Sequence, residues 1–200
     1  TKARVANKLP KNKLYENASV NTKLKDKFVN QIEKIVWQYK LAPDTLNLDA
    51  TDKVPEIQIF DIFLKTKEVD QALLEVIDKA IPLPIIFQIH KGNKVKIKAA
   101  YKRPSESANN KWVIESYFES EWLDKDTAKQ PMPQALDLGK LYEQILKSLM
   151  PVEVTSSKTM QTLDEQVGII NQISSLQKEL DKLNSKYKKE KQANRQFEIH

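Results

Sequence analysis

Residues 56–64 read EIQIFDIFL, and this segment decides the fold class. When the two-residue period of a strand is applied, both faces are apolar, one through Phe60, Ile62 and Leu64 and the other through Ile57, Ile59 and Phe63. Strands that are apolar on both faces lie inside a sheet and are covered by helices. The segment therefore predicts a central, covered strand.

The chain downstream of this strand alternates between helical and strand periods. A Gly92-Asn93 pair lies between two apolar runs, which is typical of a β-hairpin turn. The predicted elements are a helix over 69–80, strands over 84–90, 94–101 and 111–122, and a helix over 137–149.

The chain upstream predicts one long helix. Apolar residues recur at three- and four-residue steps over 23–39, and Asn21 or Thr22 supplies the N-cap. Residues 2–20 predict an irregular lead-in. Together the segments predict an α+β body over residues 1–150, with a mixed β-sheet flanked by helices.

The last part of the chain follows a heptad pattern. Residues 151–161 predict a linker, and residues 162–200 predict a coiled-coil helix. Its apolar d and a positions are Ile169, Ile173, Leu176, Leu180, Leu183 and Tyr187. A helix with this seam buries it against another helix, so self-association and binding of a partner helix are both expectations. Folding back onto the body is the alternative.

Positive charge is concentrated in the N-terminal arm. Residues 1–40 carry ten Lys or Arg against three Asp or Glu, within a net charge of +6. Lys11 and Lys13 in this arm, with Lys102 and Arg103 at the end of the hairpin, are candidate phosphate contacts. The alternative for the arm is a solubilising face. A row of lysines at 94, 96 and 98 either contacts phosphates or pairs with the Glu row of the following strand.

The composition excludes several classes of enzyme. The chain has no cysteine, two histidines and three glycines. These counts argue against Cys-ligated zinc, hydrolase triads, Walker loops and dinucleotide fingerprints, so no cofactor and no metal are predicted. Residues 81–89 form the longest apolar run, too short to span a bilayer, and the start of the chain shows no secretory signal. Cytoplasmic localisation is expected.

An alternative reading is a diverged metal-dependent nuclease. Many such enzymes hold their cation with a Glu-x-Lys strand after an upstream Asp. Here Glu56 takes the Glu position and Gln58 stands where the Lys would be. Asp61 falls on the opposite face from Glu56 in a regular strand, so the two cannot share a site.

Several segments together resemble a bacterial family known as domain of unknown function 4391. They are 9–15 (LPKNKLY), 35–43 (IVWQYKLAP), 54–60 (VPEIQIF), 77–82 (IDKAIP), 100–103 (AYKR) and 189–199 (KEKQANRQFEI). The family has no established activity. Its members often occur beside restriction-type DNA methyltransferases and helicases, which implies an accessory role in anti-phage defence.

The resemblance and the residues together predict a non-enzymatic adaptor subunit of a DNA-processing defence complex. Its expected partner is a helicase or a DNA methyltransferase subunit, with possible contact to nucleic acid and no membrane partner.

Overall fold

The computed structural model describes residues 2–17, 20–105, 112–128, 131–151 and 162–190. The chain divides into two compact units, Thr1–Met150 and Pro151–His200. Among the described residues, no helix combines the length and the apolar character needed to cross a membrane.

The first unit is built on a seven-stranded mixed sheet. Its strands are β1 (Arg4–Lys8), β2 (Ile32–Leu41), β3 (Ile57–Leu64), β4 (Ile85–Lys91), β5 (Lys94–Pro104), β6 (Trp112–Glu119) and β7 (Leu123–Asp124). Strands β1 to β6 are adjacent in numerical order, and β7 pairs with β5. Only the β3–β4 pair is parallel among the pairings described.

Helices flank this sheet, as the sequence predicts. They are α1 (Lys11–Asn17), α2 (Thr22–Gln31), α3 (Pro43–Leu46), α4 (Gln71–Ala80) and α5 (Leu138–Leu149). One buried cluster joins α1, α2 and α4 to the sheet through residues such as Leu14, Phe28, Leu73 and Phe60. Helix α5 contacts β5 and β6. The α+β class is therefore confirmed.

The central strand is confirmed between β2 and β4. Strand β3 covers Ile57–Leu64, and Phe60 and Ile62 are buried in the cluster described above. The hairpin of β4 and β5 is also confirmed, because Gly92 takes the positive φ of 55° that its tight turn requires. Asn21 caps α2, since its side chain accepts a hydrogen bond from the Leu24 backbone N–H.

The prediction of one helix over 23–39 is wrong. Helix α2 ends at Gln31, and residues 32–41 form β2, which pairs with β1 on one side and β3 on the other. This segment, IEKIVWQYKL, is rich in β-branched and aromatic residues, which fit a sheet as well as they fit a helical stripe. Pairing with two neighbouring strands decides the outcome over local periodicity.

The predicted irregular lead-in is also wrong in part, since it contains β1 and α1. Strand β1 lies at one edge of the sheet, and all but one of its five residues are exposed. Its register shifts between Arg4 and Asn7, and Ala6 has a positive φ of 53°. Exposed residues and an interrupted register leave no alternating pattern for sequence reasoning to find.

The described part of the second unit is a single helix, α6 (Leu163–Lys189). Thr162 and Glu165 form a reciprocal capping box at its start. Acidic residues lie in the first turn and lysines in the last, which favours the helix through its macrodipole. The long C-terminal helix is confirmed within these bounds, and residues 191–200 of the predicted coiled coil lie outside the described residues.

Candidate interaction surfaces

The apolar seam predicted on α6 is largely exposed. Ile169 is half-buried, and the side chains further along are 37–59% exposed, namely Ile173, Leu176, Leu180, Leu183 and Tyr187. Steps of three and four residues place them on one side of the helix. Burying each half-exposed side chain would contribute about 1 kcal/mol, so the stripe is a strong candidate for a binding surface.

The four predicted phosphate contacts are not brought together on one element. Lys11 and Lys13 belong to α1, whereas Lys102 and Arg103 belong to β5. Lys13 is exposed, as a phosphate contact requires. Arg103 is paired with Glu115, with its Nη2 at 2.8 Å and its Nε at 3.0 Å from Glu115 Oε1.

Lys11 is used to close helix α2. Its ammonium donates to the carbonyl oxygen of Phe28 at 3.2 Å and to that of Ile32. Partial burial, followed by the nearby charges of Lys65 and Lys8, lowers the pKa of Lys11. A lysine at a helix C-terminus interacts favourably with the carbonyl end of the helix and its dipole.

Lys102 is fully buried, so the prediction that it contacts nucleic acid is wrong. Its ammonium donates to the carbonyl oxygens of Asp78, Ile81 and Leu83 at 2.8–2.9 Å and lies 3.2 Å from the Asp78 carboxylate. The side chain thus closes the C-terminal end of α4 and has no access to a phosphate. The sequence predicts an exposed Lys102 because the basic run continues into Arg103.

Asp78 is the buried counterpart of Lys102. The hydroxyl of Tyr117 also donates a hydrogen bond to its carboxylate. Burial raises the pKa of Asp78 and lowers that of Lys102, while their mutual attraction opposes both shifts. The group joins α4 to β5 and β6. Its signal in the sequence is an acidic residue inside an apolar helix.

The lysine row of the hairpin is engaged in ion pairs. Lys96 and Lys98 lie 2.9 and 2.7 Å from the two carboxylate oxygens of Glu119 on β6. Lys94 lies 3.4 Å from Asp124 on β7. The predicted pairing with the glutamates of the following strand therefore holds for Lys96 and Lys98, whereas Lys94 pairs with Asp124.

A His–Asp pair lies on the parallel strands. His90 Nε2 is 3.0 Å from Asp61 Oδ1, and the His90 ring stacks on Phe63 with centroids 4.6 Å apart. Nδ1 of His90 is buried and forms no hydrogen bond with a described residue. The sequence alone does not show that these residues are neighbours. Their proximity follows from the parallel register of β3 and β4, in which Phe63 lies opposite His90.

The nuclease candidates Glu56 and Gln58 contact each other. Gln58 Nε2 donates to Glu56 Oε1 at 2.6 Å, and Lys40 Nζ lies 3.6 Å from Glu56 Oε2. Gln58 is buried, and its Oε1 has no hydrogen-bond partner among the described residues. Within the described ranges, no group of three or more His, Cys, Asp or Glu residues is arranged to hold a metal ion.

Comparison with known proteins gives a family and no function. No curated protein and no solved structure matches the chain. The family model described as "Domain of unknown function (DUF4391)" matches residues 1–200. This match covers both units, and the chain therefore belongs to the DUF4391 family.

Proposed function

We propose that the protein is a non-enzymatic accessory subunit of a bacterial DNA-processing defence complex of the restriction type. In this role it binds a helicase or DNA methyltransferase subunit through α6. The observation that carries the proposal is the exposed apolar stripe, whose residues from Ile173 to Tyr187 are 37–59% exposed. The resemblance to a family whose members occur beside methyltransferases and helicases supports the choice of partner.

The chemistry of the body supports a scaffold. Its most buried charged pair, Lys102 with Asp78, closes a helix and is shielded from solvent. Other lysines and acids of the described body form ion pairs at the surface, such as Lys98 with Glu119 and Lys40 with Glu56. Groups held in this way fix the geometry of the fold, whereas α6 presents a row of half-exposed apolar side chains.

The test is affinity purification of the full-length protein from its native host. We expect a helicase or DNA methyltransferase in stoichiometric amount, and loss of that subunit when Leu176 and Leu183 are both changed to Asp. The double change Ser174→Asp with Ser185→Asp is the matched control, because it adds the same charge to polar positions outside the seam. Recovery of the protein without such a subunit, or equal loss with both variants, would contradict the proposal.

A second candidate is a diverged nuclease centred on Glu56. Lys40 favours this candidate. It approaches Glu56 from the neighbouring strand, and its ammonium group would take the place of the motif lysine that is Gln58 here. On this reading, magnesium-dependent cleavage of DNA is expected and is abolished by Glu56→Ala. Asp126→Ala, at an exposed position downstream of β7, is the control and should cleave normally. Absence of cleavage by the wild type with magnesium removes this candidate.

A further inference from the structure

One end of the sheet gathers five lysines, which we name the lysine edge. Lys8 ends β1, Lys34 lies near the start of β2, Lys65 follows β3 and Lys91 ends β4. Because β1 and β3 are antiparallel to β2 while β3 and β4 are parallel, these positions meet at the same end of the sheet. Lys11 of α1 completes the group.

Contacts along the lysine edge show that its members are close together. Lys91 Nζ donates to the carbonyl oxygen of Lys65 at 2.5 Å, and Lys65 Nζ donates to that of Val29 at 2.7 Å. Lys11 donates to the carbonyl oxygens of Phe28 and Ile32, at the same end of α2. The ammonium groups of Lys11 and Lys65 therefore lie at the C-terminal end of α2, and that of Lys91 lies at the end of β3.

The partners of these lysines are all uncharged. None of the five lies within 4 Å of a carboxylate in the described part of the chain, whereas Lys94, Lys96 and Lys98 on the hairpin each do. Glu33 precedes Lys34 in the sequence and forms no ion pair with a described lysine. Carbonyl groups satisfy the donors of a lysine without cancelling its charge. The positive charge of the edge is therefore not cancelled by a described carboxylate, whereas the charge of the hairpin lysines is.

We infer that the lysine edge is a binding surface for the phosphate backbone of double-stranded DNA. Adjacent strands are about 4.8 Å apart, so four strands present an edge of about 14 Å. A duplex carries one negative charge per about 1.7 Å of its axis, which offers more phosphates than the edge has lysines. Bound phosphates would relieve the mutual repulsion of the lysines.

The aromatic groups at this edge favour a duplex over a single strand. Proteins that bind single strands stack bases on free aromatic faces. Phe63 is the aromatic side chain beside Lys34. The His90 ring stacks on it, and Lys34 Nζ lies 4.2 Å from the centroid of its ring. Among the described residues beside Lys34, the edge therefore offers charge to a backbone and no open ring to a base, so binding is expected to be independent of sequence.

This inference rests on the proposed function, because the choice of DNA as the bound polyanion comes from the proposed role in a DNA-processing complex. Its test uses the full-length protein alone, so it is independent of whether a partner subunit is found. The probe is a fluorescein-labelled 24-base-pair duplex, and its anisotropy gives the affinity over a series of salt concentrations.

The variant Lys34→Gln with Lys65→Gln and Lys91→Gln removes three charges and keeps side-chain donors for the carbonyl groups. We expect its plot of log affinity against log salt to be shallower than that of the wild type by about 2.7, at about 0.9 per lost phosphate contact. Affinity at low salt should fall at least about tenfold. Circular dichroism checks that the variant is folded.

The matched control is Lys79→Gln with Lys140→Gln and Lys147→Gln, which removes three lysines that are paired with Glu75 or Glu143. It should bind the duplex with the wild-type salt dependence. Lys8→Gln is a milder variant at an exposed position, and it should lower the slope by about 0.9.

Four results would overturn the inference, the first three of which concern the duplex. These three are a wild type that does not bind the duplex, a triple variant with an unchanged salt slope, and equal losses in the triple variant and its control. Equal losses would mean that DNA binding depends on the overall charge of the protein and not on the lysine edge. Tighter binding to a single strand of the same sequence would likewise contradict the choice of duplex DNA.

Discussion

Changing Leu176 and Leu183 together to Asp is expected to abolish assembly through α6 and to leave the body folded. Both leucines lie on the exposed stripe, at 59% and 40% exposure. If two copies pair, four leucines are lost from the seam, at about 1 kcal/mol each because each is about half-exposed. The sum of about 4 kcal/mol corresponds to a weakening of about 10³-fold. Four introduced carboxylates would add their own desolvation cost.

Light scattering after size-exclusion chromatography measures this effect. The double variant should have the monomer mass of 23.1 kDa, and the wild type should have a larger mass. Ser174→Asp with Ser185→Asp should behave as the wild type, since these positions lie away from the seam. A monomeric wild type that binds a helicase or methyltransferase subunit through α6 would agree with the proposed function and show that α6 does not self-associate. An unchanged mass in the leucine variant contradicts the role given to the stripe.

Changing Lys102 to Met is expected to destabilise the body by about 3–5 kcal/mol, a large part of a typical stability of about 5–15 kcal/mol. The loss leaves the Asp78 carboxylate buried without its cation and removes the donor from three carbonyl groups. Urea unfolding followed by circular dichroism gives the free energy of unfolding. Lys94→Met on the same strand is the control, because its ion pair with Asp124 is exposed and should contribute about 0–1 kcal/mol.

The Lys102→Met variant should also become sensitive to pH. Burial already raises the pKa of Asp78, and removal of Lys102 removes the attraction that opposes this shift. A carboxyl group with a raised pKa in the folded state stabilises that state at low pH, and the contribution is lost as the pH rises through the folded-state pKa. The destabilisation should therefore be larger at pH 8 than at pH 5. Adding Asp78→Asn should recover about 1–2 kcal/mol at pH 8, and no recovery would contradict the role of the stranded charge.

The fold was predictable wherever one period dominates a segment. The strand at 57–64, the hairpin turn at Gly92 and helix α5 follow from apolar spacing and turn chemistry. The strand at residues 32–41 was not predictable, because its apolar positions fit a helical stripe and a strand equally well. Only the presence of two neighbouring strands selects between these, and neighbours are not visible in a local window.

The candidate surfaces were predictable to a lesser degree. The seam on α6 follows directly from heptad spacing, and its residues are exposed as a binding stripe requires. The lysines were harder, because sequence gives their charge and not their partners. Lys102 closes a helix end inside the core, and the lysine edge assembles residues from four separate strands and a helix. Such groupings depend on sheet order and register.

The irregular edge strand β1 has a consequence for colloidal behaviour. A regular edge strand offers an unbroken ladder of backbone donors and acceptors to which another chain can add. In β1 that ladder is broken by the register shift between Arg4 and Asn7 and by the left-handed conformation of Ala6, and Arg4 and Lys8 put like charges at its two ends. Strand-by-strand polymerisation is disfavoured on this side of the body. Concentrated protein is therefore not expected to form fibrils by joining sheets through β1.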